Sequence, residues 1–327
     1  MWSIDNRTPY KVERAWGRDR DGAHEWIVAV KATYEIQPDG NVVLADEQVD
    51  ALLAPEYSGA PGQSSLRYDA DVIGAKPTTD IIVVGHAYAP NERPSSNFMI
   101  GMAIGPMRKA LRVRGDRIRD GGLLLGSAEP VLRVPLAYER AYGGYDHSDP
   151  ESRHHRFDSR NPVGVGISPT PTRLPNFEYP SGDVETAGPA GFGAIDSYWS
   201  PRLEAQGTYD DAWKQQRFPL LPVDWSPRSR QCAPLDQLPS EPLRGGESVE
   251  LANLTPSGRL SFALPRVSLR FSTLLDGRVE EHFGQLSTVI VEPDHPRVML
   301  VWQSSLAVRT NGDYLEHTVV REKARPW

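Results

Sequence analysis

Apolar and polar residues alternate with a period of two through the first and last thirds of the chain. In residues 26–36 (WIVAVKATYEI), Val28, Val30, Ala32, Tyr34 and Ile36 fall on one face, and the run is rich in β-branched and aromatic side chains. That is the signature of a half-buried strand. Pro38-Asp39-Gly40-Asn41 supplies a turn and Val42-Val43-Leu44 returns, which predicts a hairpin. Residues 80–88 (DIIVVGHAY) form an apolar run closed by Pro90 and suit a central strand. Residues 109–113 and 117–118 flank Arg114-Gly115-Asp116 and predict a second hairpin, and residues 130–138 predict another strand.

The pattern returns near the C-terminus. Residues 248–254 and 259–264 flank the turn Thr255-Pro256-Ser257-Gly258. Residues 268–274 and 279–283 flank Asp276-Gly277, and residues 286–291 and 297–303 flank Glu292-Pro293-Asp294-His295-Pro296. Strands joined by short turns predict a mainly β protein, an antiparallel β-sandwich. No helix of a dozen residues separates them, as a parallel α/β sheet needs. One or two short helices are expected. The clearest runs from Ala212 to Gln216, with Thr208 as cap and Asp211 in the capping-box position, and ends before Pro219. The chain reads as a single β-rich domain, with N-terminal strands in 1–145, a loop-rich insertion in 146–245 and C-terminal strands in 246–327.

The middle of the chain reads differently. From Glu139 to Gln237 it gathers a large share of the 29 prolines, mixed with glycines and aromatics. Prolines and glycines fix turns, and aromatics supply apolar area to pin them. A long ordered loop region wrapped on a scaffold is expected, and such regions usually carry function. Tyr142, Tyr145, Phe177, Tyr179, Trp199 and Trp225 are the candidate protein-contact residues, because Tyr and Trp serve as interface anchors. Gly143, Gly144, Pro162, Gly164 and Gly166 are the candidate loop-shaping residues.

Composition narrows the classes. The 327 residues carry a net charge of −7, unlike the basic footprint of a nucleic-acid binder. One cysteine, Cys232, excludes an intrachain disulfide and a multi-cysteine zinc site, and is expected to be buried and inert. The N-terminus has neither a basic nor an apolar leader region. No run approaches the roughly 20 apolar residues of a membrane helix. A cytoplasmic protein without membrane insertion is expected.

Several motifs invite chemistry. Asp146, His147, Asp149, His154, His155 and Asp158 crowd acids and imidazoles into one loop, yet their spacing fits no standard ligand pattern. Solvated side chains and turn-making contacts are the plainer reading. Gly164-Val165-Gly166 lacks the strand, helix and third glycine of a phosphate loop. Arg114-Gly115-Asp116 spells an adhesion tripeptide but reads as a turn. The carboxylate pairs Asp69/Asp71 and Asp210/Asp211 are unremarkable in spacing. No nucleophile elbow, Ser-x-x-Lys or His-Glu-x-x-His motif is present in the sequence. No catalytic residue, metal or cofactor is therefore assigned, and the protein is not expected to be an enzyme. Two rival readings stand beside this one. One is a metal-dependent hydrolase or lyase using the loop from Asp146 to Asp158. The other is a carbohydrate-binding β-sandwich using exposed Trp and Tyr as stacking platforms.

The order of motifs resembles a family of uncharacterised domains found beside the spike, PAAR-tip and effector genes of bacterial type VI secretion systems. The elements that carry the resemblance are DIIVVGHAYAP (80–90), KALRVRGDR (109–117), PLAYERAYGGYD (135–146), NPVGVG (161–166), LPNFE (174–178), WSPR (199–202), GTYD (207–210) and APLDQ (233–237). They span roughly residues 20–265. What the resemblance implies is an adaptor or chaperone that binds an effector, or its PAAR-containing segment, and aids its loading onto the VgrG spike. It implies no catalytic residues.

Overall fold

The computed structural model describes residues 2–119, 127–146, 148–149, 151, 156–169, 171–309 and 314–323. The protein is mainly β, with three principal sheets and four two-stranded ribbons among the described residues, and no sheet closes into a barrel. At the centre lies a six-stranded sheet. Its main path runs Lys11–Arg18, His24–Ile36, Arg297–Val308, Gln285–Glu292, Asp80–Val83, with Val42–Leu44 paired to the end of His24–Ile36. N-terminal and C-terminal segments thus share one sheet. The hairpin expected around Pro38-Asp39-Gly40-Asn41 is present, as are the three C-terminal hairpins.

Two further sheets cover one face of the centre. A five-stranded sheet runs Phe177–Glu178, Met107–Arg114, Asn97–Ile104, Ser248–Ala252, Arg259–Ala263. A four-stranded sheet runs Ser3–Asn6, Leu315–Glu322, Leu269–Leu275, Arg278–Phe283. The alternation read from the sequence explains the packing. Val28, Val30, Val298, Leu300 and Val289 point from the central sheet into a core shared with Ile100, Leu111, Leu251, Phe271 and Val320. Among the described strands pairing is antiparallel except where Ser3–Asn6 meets Leu315–Glu322, where Asp80–Val83 meets Gln285–Glu292, and in the short ribbon Tyr142–Gly143 with Val165–Gly166; the isolated bridge of Ala141 with Phe177 is parallel as well.

The opposite face of the central sheet is covered by loops. Ile27, Ala29 and Val301 pack with Val72, while Ile82, Ile290 and Met299 pack with Leu66, Tyr68, Ala194 and Cys232. Lys31 and Thr33, on the face that the sequence left polar, are therefore buried as well.

Four expectations are corrected. The run 80–88 is two strands, Asp80–Val83 and His86–Tyr88, which separate after Val84 into different sheets. Arg114-Gly115-Asp116 is not a hairpin turn. Met107–Arg114 pairs with Asn97–Ile104, and Ile118–Arg119 pairs with Thr172–Arg173. Only Arg133–Pro135 of the run 130–138 is strand, because Tyr138–Arg140 winds into a 3-10 turn. Thr208 does not cap the helix Asp211–Gln216. Asp210 does so, accepting from the Trp213 amide at 2.8 Å, and Thr208 is taken by Asp224.

Candidate functional site

The motifs of the middle region converge in space. Tyr142-Gly143-Gly144 lies against Asn161–Gly166 through parallel pairing of Tyr142 with Val165 and Gly143 with Gly166. Asn161 is fully buried. Its side-chain amide donates to the carbonyls of Tyr138 (2.8 Å) and Tyr142 (2.9 Å). Its own carbonyl accepts from the Gly144 and Gly164 amides. A Cβ on Gly143 would sit 2.2 Å from the Asn161 carbonyl oxygen, and one on Gly144 would sit 2.3 Å from that of Gly164. Both residues also have positive φ, so glycine alone fits this crossing.

Asn176 ties in the next motifs. Its side chain donates to the Arg114 carbonyl (2.9 Å) and Asp116 (3.0 Å), and its amide donates to the Arg140 carbonyl (2.7 Å). Arg117 donates to Glu178 (2.6 Å) and to the Pro175 carbonyl (2.7 Å). Arg114 donates from its side chain to Glu178 (3.3 Å) and Asp116 accepts from Asn176, so both ends of the adhesion-like tripeptide are engaged internally.

Beside this node opens a cleft of about 480 Å³, lined among others by Arg117, Arg119, Tyr142, Arg156, Glu178 and Glu185. Arg117 pairs with Glu178 and Arg156 with Glu185, while Arg119 has no ion-pair partner among the described residues. The walls carry both signs of charge.

A second convergence surrounds Lys109. Its side chain points inward with Leu111 and Val113 from Met107–Arg114. The ammonium donates to the Gly191 carbonyl (2.6 Å), Asp236 (2.7 Å) and the Gln237 side chain (2.8 Å). It also lies 5.4 Å from the Phe192 ring centroid and 5.7 Å from that of Tyr179. Burial pulls its pKa down to about 8, against the opposing pull of Asp236. An ammonium has three donors, and all three find acceptors here. The arrangement ties the Gly191 loop and the Asp236-Gln237 turn to one strand.

The loop layer is held to the central sheet in the same manner. Asp80 accepts from Lys76 (2.6 Å) and from the amides of Cys232 (3.0 Å) and Ala233 (3.2 Å). Gln237 donates to the carbonyls of Ile81 (2.7 Å) and Phe192 (3.0 Å). Arg202 binds Asp69 (2.6 Å) and the carbonyls of Ile195 and Ser229. Burial pushes the Cys232 thiol well above its ordinary pKa.

The six candidate contact residues divide. Phe177 and Trp199 are buried, Phe177 in the main core and Trp199 edge-on against Tyr138, so they offer no surface to a partner. Tyr142 is buried except for an edge in the cleft. Tyr179 is half-buried over Lys109, and Trp225 is half-buried beneath the Arg230 guanidinium. Tyr145 is exposed and stacks on Phe157, which is equally exposed and which sequence reasoning missed. Pro162 and Gly164 are half-buried in the crossing, and Gly166 turns with φ +101° at the cleft. Tyr198, one of the aromatics clustered in the middle of the chain, is exposed, as are Leu203, Phe218, Val223 and Leu235, which the sequence did not single out.

The acidic loop is partly visible. Asp158 is buried and grips Arg160, while Asp146 accepts from Ser148 and Ser168. Those hydrogen bonds, the one from Ser148 foremost, hold the Asp146 carboxyl below its ordinary pKa. Asp149 accepts from the Glu151 amide. His147, His154 and His155 lie outside the described residues. Among the described residues no three His, Cys, Asp or Glu side chains gather as a metal site. Of the paired carboxylates, Asp69 and Asp71 go to different cations, Arg202 and Lys31. Among the described residues no helix is long and apolar enough to cross a membrane.

Fold and site together define a β-sheet scaffold with an ordered, hydrogen-bonded loop layer. The chain belongs to a family described as an uncharacterized protein conserved in bacteria (DUF2169), whose model matches residues 21–303. No curated protein and no solved structure gives a significant match.

Proposed function

We propose that this protein is an effector-loading adaptor of a bacterial type VI secretion system, binding an effector or its PAAR-containing segment and aiding its placement on the VgrG spike. The order of eight motifs along the chain supports the reading. The observation that carries it is the loop layer, whose backbone is fixed by buried Asp80, Asn161, Asn176 and Gln237 while Tyr145 and Phe157 stand outside it. A preorganised surface loses little entropy on binding, so a modest patch binds usefully. A loader must also release its cargo, which favours binding of roughly 8–10 kcal/mol, micromolar to tens of nanomolar.

Co-expression with the neighbouring effector gene tests this. Effector solubility and spike association should fall when the protein is omitted. Tyr145→Ala with Phe157→Ala should lower effector retention with the melting temperature nearly unchanged, since exposed substitutions typically move stability by only about 0.5 kcal/mol. Unchanged effector solubility and spike association without the protein would reject the adaptor reading. Turnover of a small molecule, lost on His154→Ala, would promote the hydrolase or lyase instead.

A further inference from the structure

A small apolar pocket lies in the loop layer, apart from the cleft and from Lys109. Ile195, Pro201, Ala205, Ala233, Leu235 and Leu238 line it, and its volume is about 170 Å³. Sites for drug-sized ligands run from roughly 300 Å³ upward, whereas a dry cavity of about 150 Å³ takes one benzene ring. The pocket therefore has room for a single large apolar side chain. Its floor is firm. Arg202 in its wall is held by Asp69 and by two carbonyls, and Ile195 is tied through its amide to the Cys232 carbonyl.

Arg228 also lines this pocket, and its state differs from that of Arg202. It is exposed, stands on the 3-10 turn Pro227–Arg230 capped by Ser226, and has no ion-pair partner among the described residues. An unpaired guanidinium beside an apolar hole, on a chain of net charge −7, is complementary to a carboxylate next to an apolar side chain. Apolar residues Tyr198, Leu203 and Leu235 are exposed on the same loops, at 73%, 44% and 59%. Of these Leu235 lines the pocket itself, so its rim as well as its floor is apolar.

We infer that this pocket docks a polypeptide segment of a partner protein, seating one aromatic or large aliphatic side chain while Arg228 binds an adjacent carboxylate. The inference rests on the adaptor reading for its partner, and it names the chemistry that partner must display.

The probe is a fluorescein-labelled Gly/Ser peptide with a central Phe-Asp pair, read by fluorescence anisotropy at low salt. Phe-Asn, Phe-Lys and Ala-Asp versions serve as comparisons. The wild-type protein should bind Phe-Asp at least tenfold more tightly than Phe-Lys or Ala-Asp. Arg228→Glu should reverse the preference, making Phe-Lys the tighter ligand, a gain that misfolding does not produce. Ala205→Trp, which fills the hole, should abolish binding of every peptide, and Leu235→Asp at the exposed rim should weaken Phe-Asp at least fivefold. Absence of saturable Phe-Asp binding, or an unchanged order of affinities in Arg228→Glu, overturns the inference. So does concentration-dependent dimerisation that Arg228→Glu abolishes, because the occupant would then be a second copy. Effector capture separates the two levels. Capture retained by Ala205→Trp overturns the pocket and spares the adaptor, whereas peptide binding without effector capture by the wild type spares the pocket and rejects the adaptor.

Discussion

The two faces of the central sheet are both buried, but by different physics. On one face, sheets pack on the sheet and the contacts are almost wholly aliphatic and aromatic. One polar thread there carries no charge. Ser304, His282, Thr273 and Thr318 are linked in series and end on the Trp26 indole N–H, which donates to Thr318 at 2.8 Å. On the other face, loops pack on the sheet and charges go inside, with Lys31–Asp71 at 2.9 Å, Lys76–Asp80 at 2.6 Å and Arg202–Asp69 at 2.6 Å. A strand satisfies its backbone through its ladder. A loop has none, and its buried amides and carbonyls need side-chain partners. Asp80, Gln237 and Arg202 are those partners, and Lys76 and Asp69 come inside as counter-charges to the two that are ionised. Such buried pairs stabilise little on balance, but removing one member leaves a bare charge.

The largest expected effect lies on the loop side. Asp80→Asn strands the buried Lys76 ammonium and should cost about 3–5 kcal/mol in urea unfolding. The double change Lys76→Met with Asp80→Leu sharpens the point. It removes both charges yet should remain destabilised, by about 1–3 kcal/mol for each amide of Cys232 and Ala233 left without an acceptor. A double variant as stable as wild type would show that the charges, not the loop backbone, are what Asp80 serves.

On the sheet side the effect is in pH. Burial lowers the His282 pKa from 6.5 to about 4, so between those values the unfolded chain binds more protons than the folded one. Stability should therefore fall as pH drops from 6.5 to about 4, by on the order of 3 kcal/mol in total. His282→Gln should flatten that part of the pH profile, and identical slopes in the two proteins would break the contrast. The smallest effect concerns loop shape. Gly144→Ala meets the Gly164 carbonyl and a φ of +92°, and should cost about 1–3 kcal/mol in thermal or urea unfolding.

The hairpins were legible because their turns announce themselves. Pro38-Asp39-Gly40-Asn41, Thr255-Pro256-Ser257-Gly258 and Asp276-Gly277 are local signals, and local geometry decides them. Asn97–Ile104 escaped because Gly101 and Ala103 dilute its pattern, and its two neighbours supply the pairing. Lys11–Arg18 and Leu315–Glu322 are too polar to stand out. In the site, proline, glycine and aromatic content marked the right region, but which aromatics face outward depends on tertiary context. Phe177 follows the inward face of its strand pairing with Val113, and Tyr145 does not. Lys109 offered a usable signal, since it shares the inward positions with Leu111 and Val113. Its partners lie 82 to 128 residues away and no local pattern names them.

The order of strands in the central sheet bears on how the molecule is made. Two of its three interior strands are Gln285–Glu292 and Arg297–Val308, which leave the ribosome after the strands they join, His24–Ile36 and Asp80–Val83. Until then His24–Ile36 lacks one neighbour and Asp80–Val83 has no strand beside it, so apolar edges wait unpaired during synthesis. A nascent chain of this protein is an aggregation hazard that its own last hairpin cures.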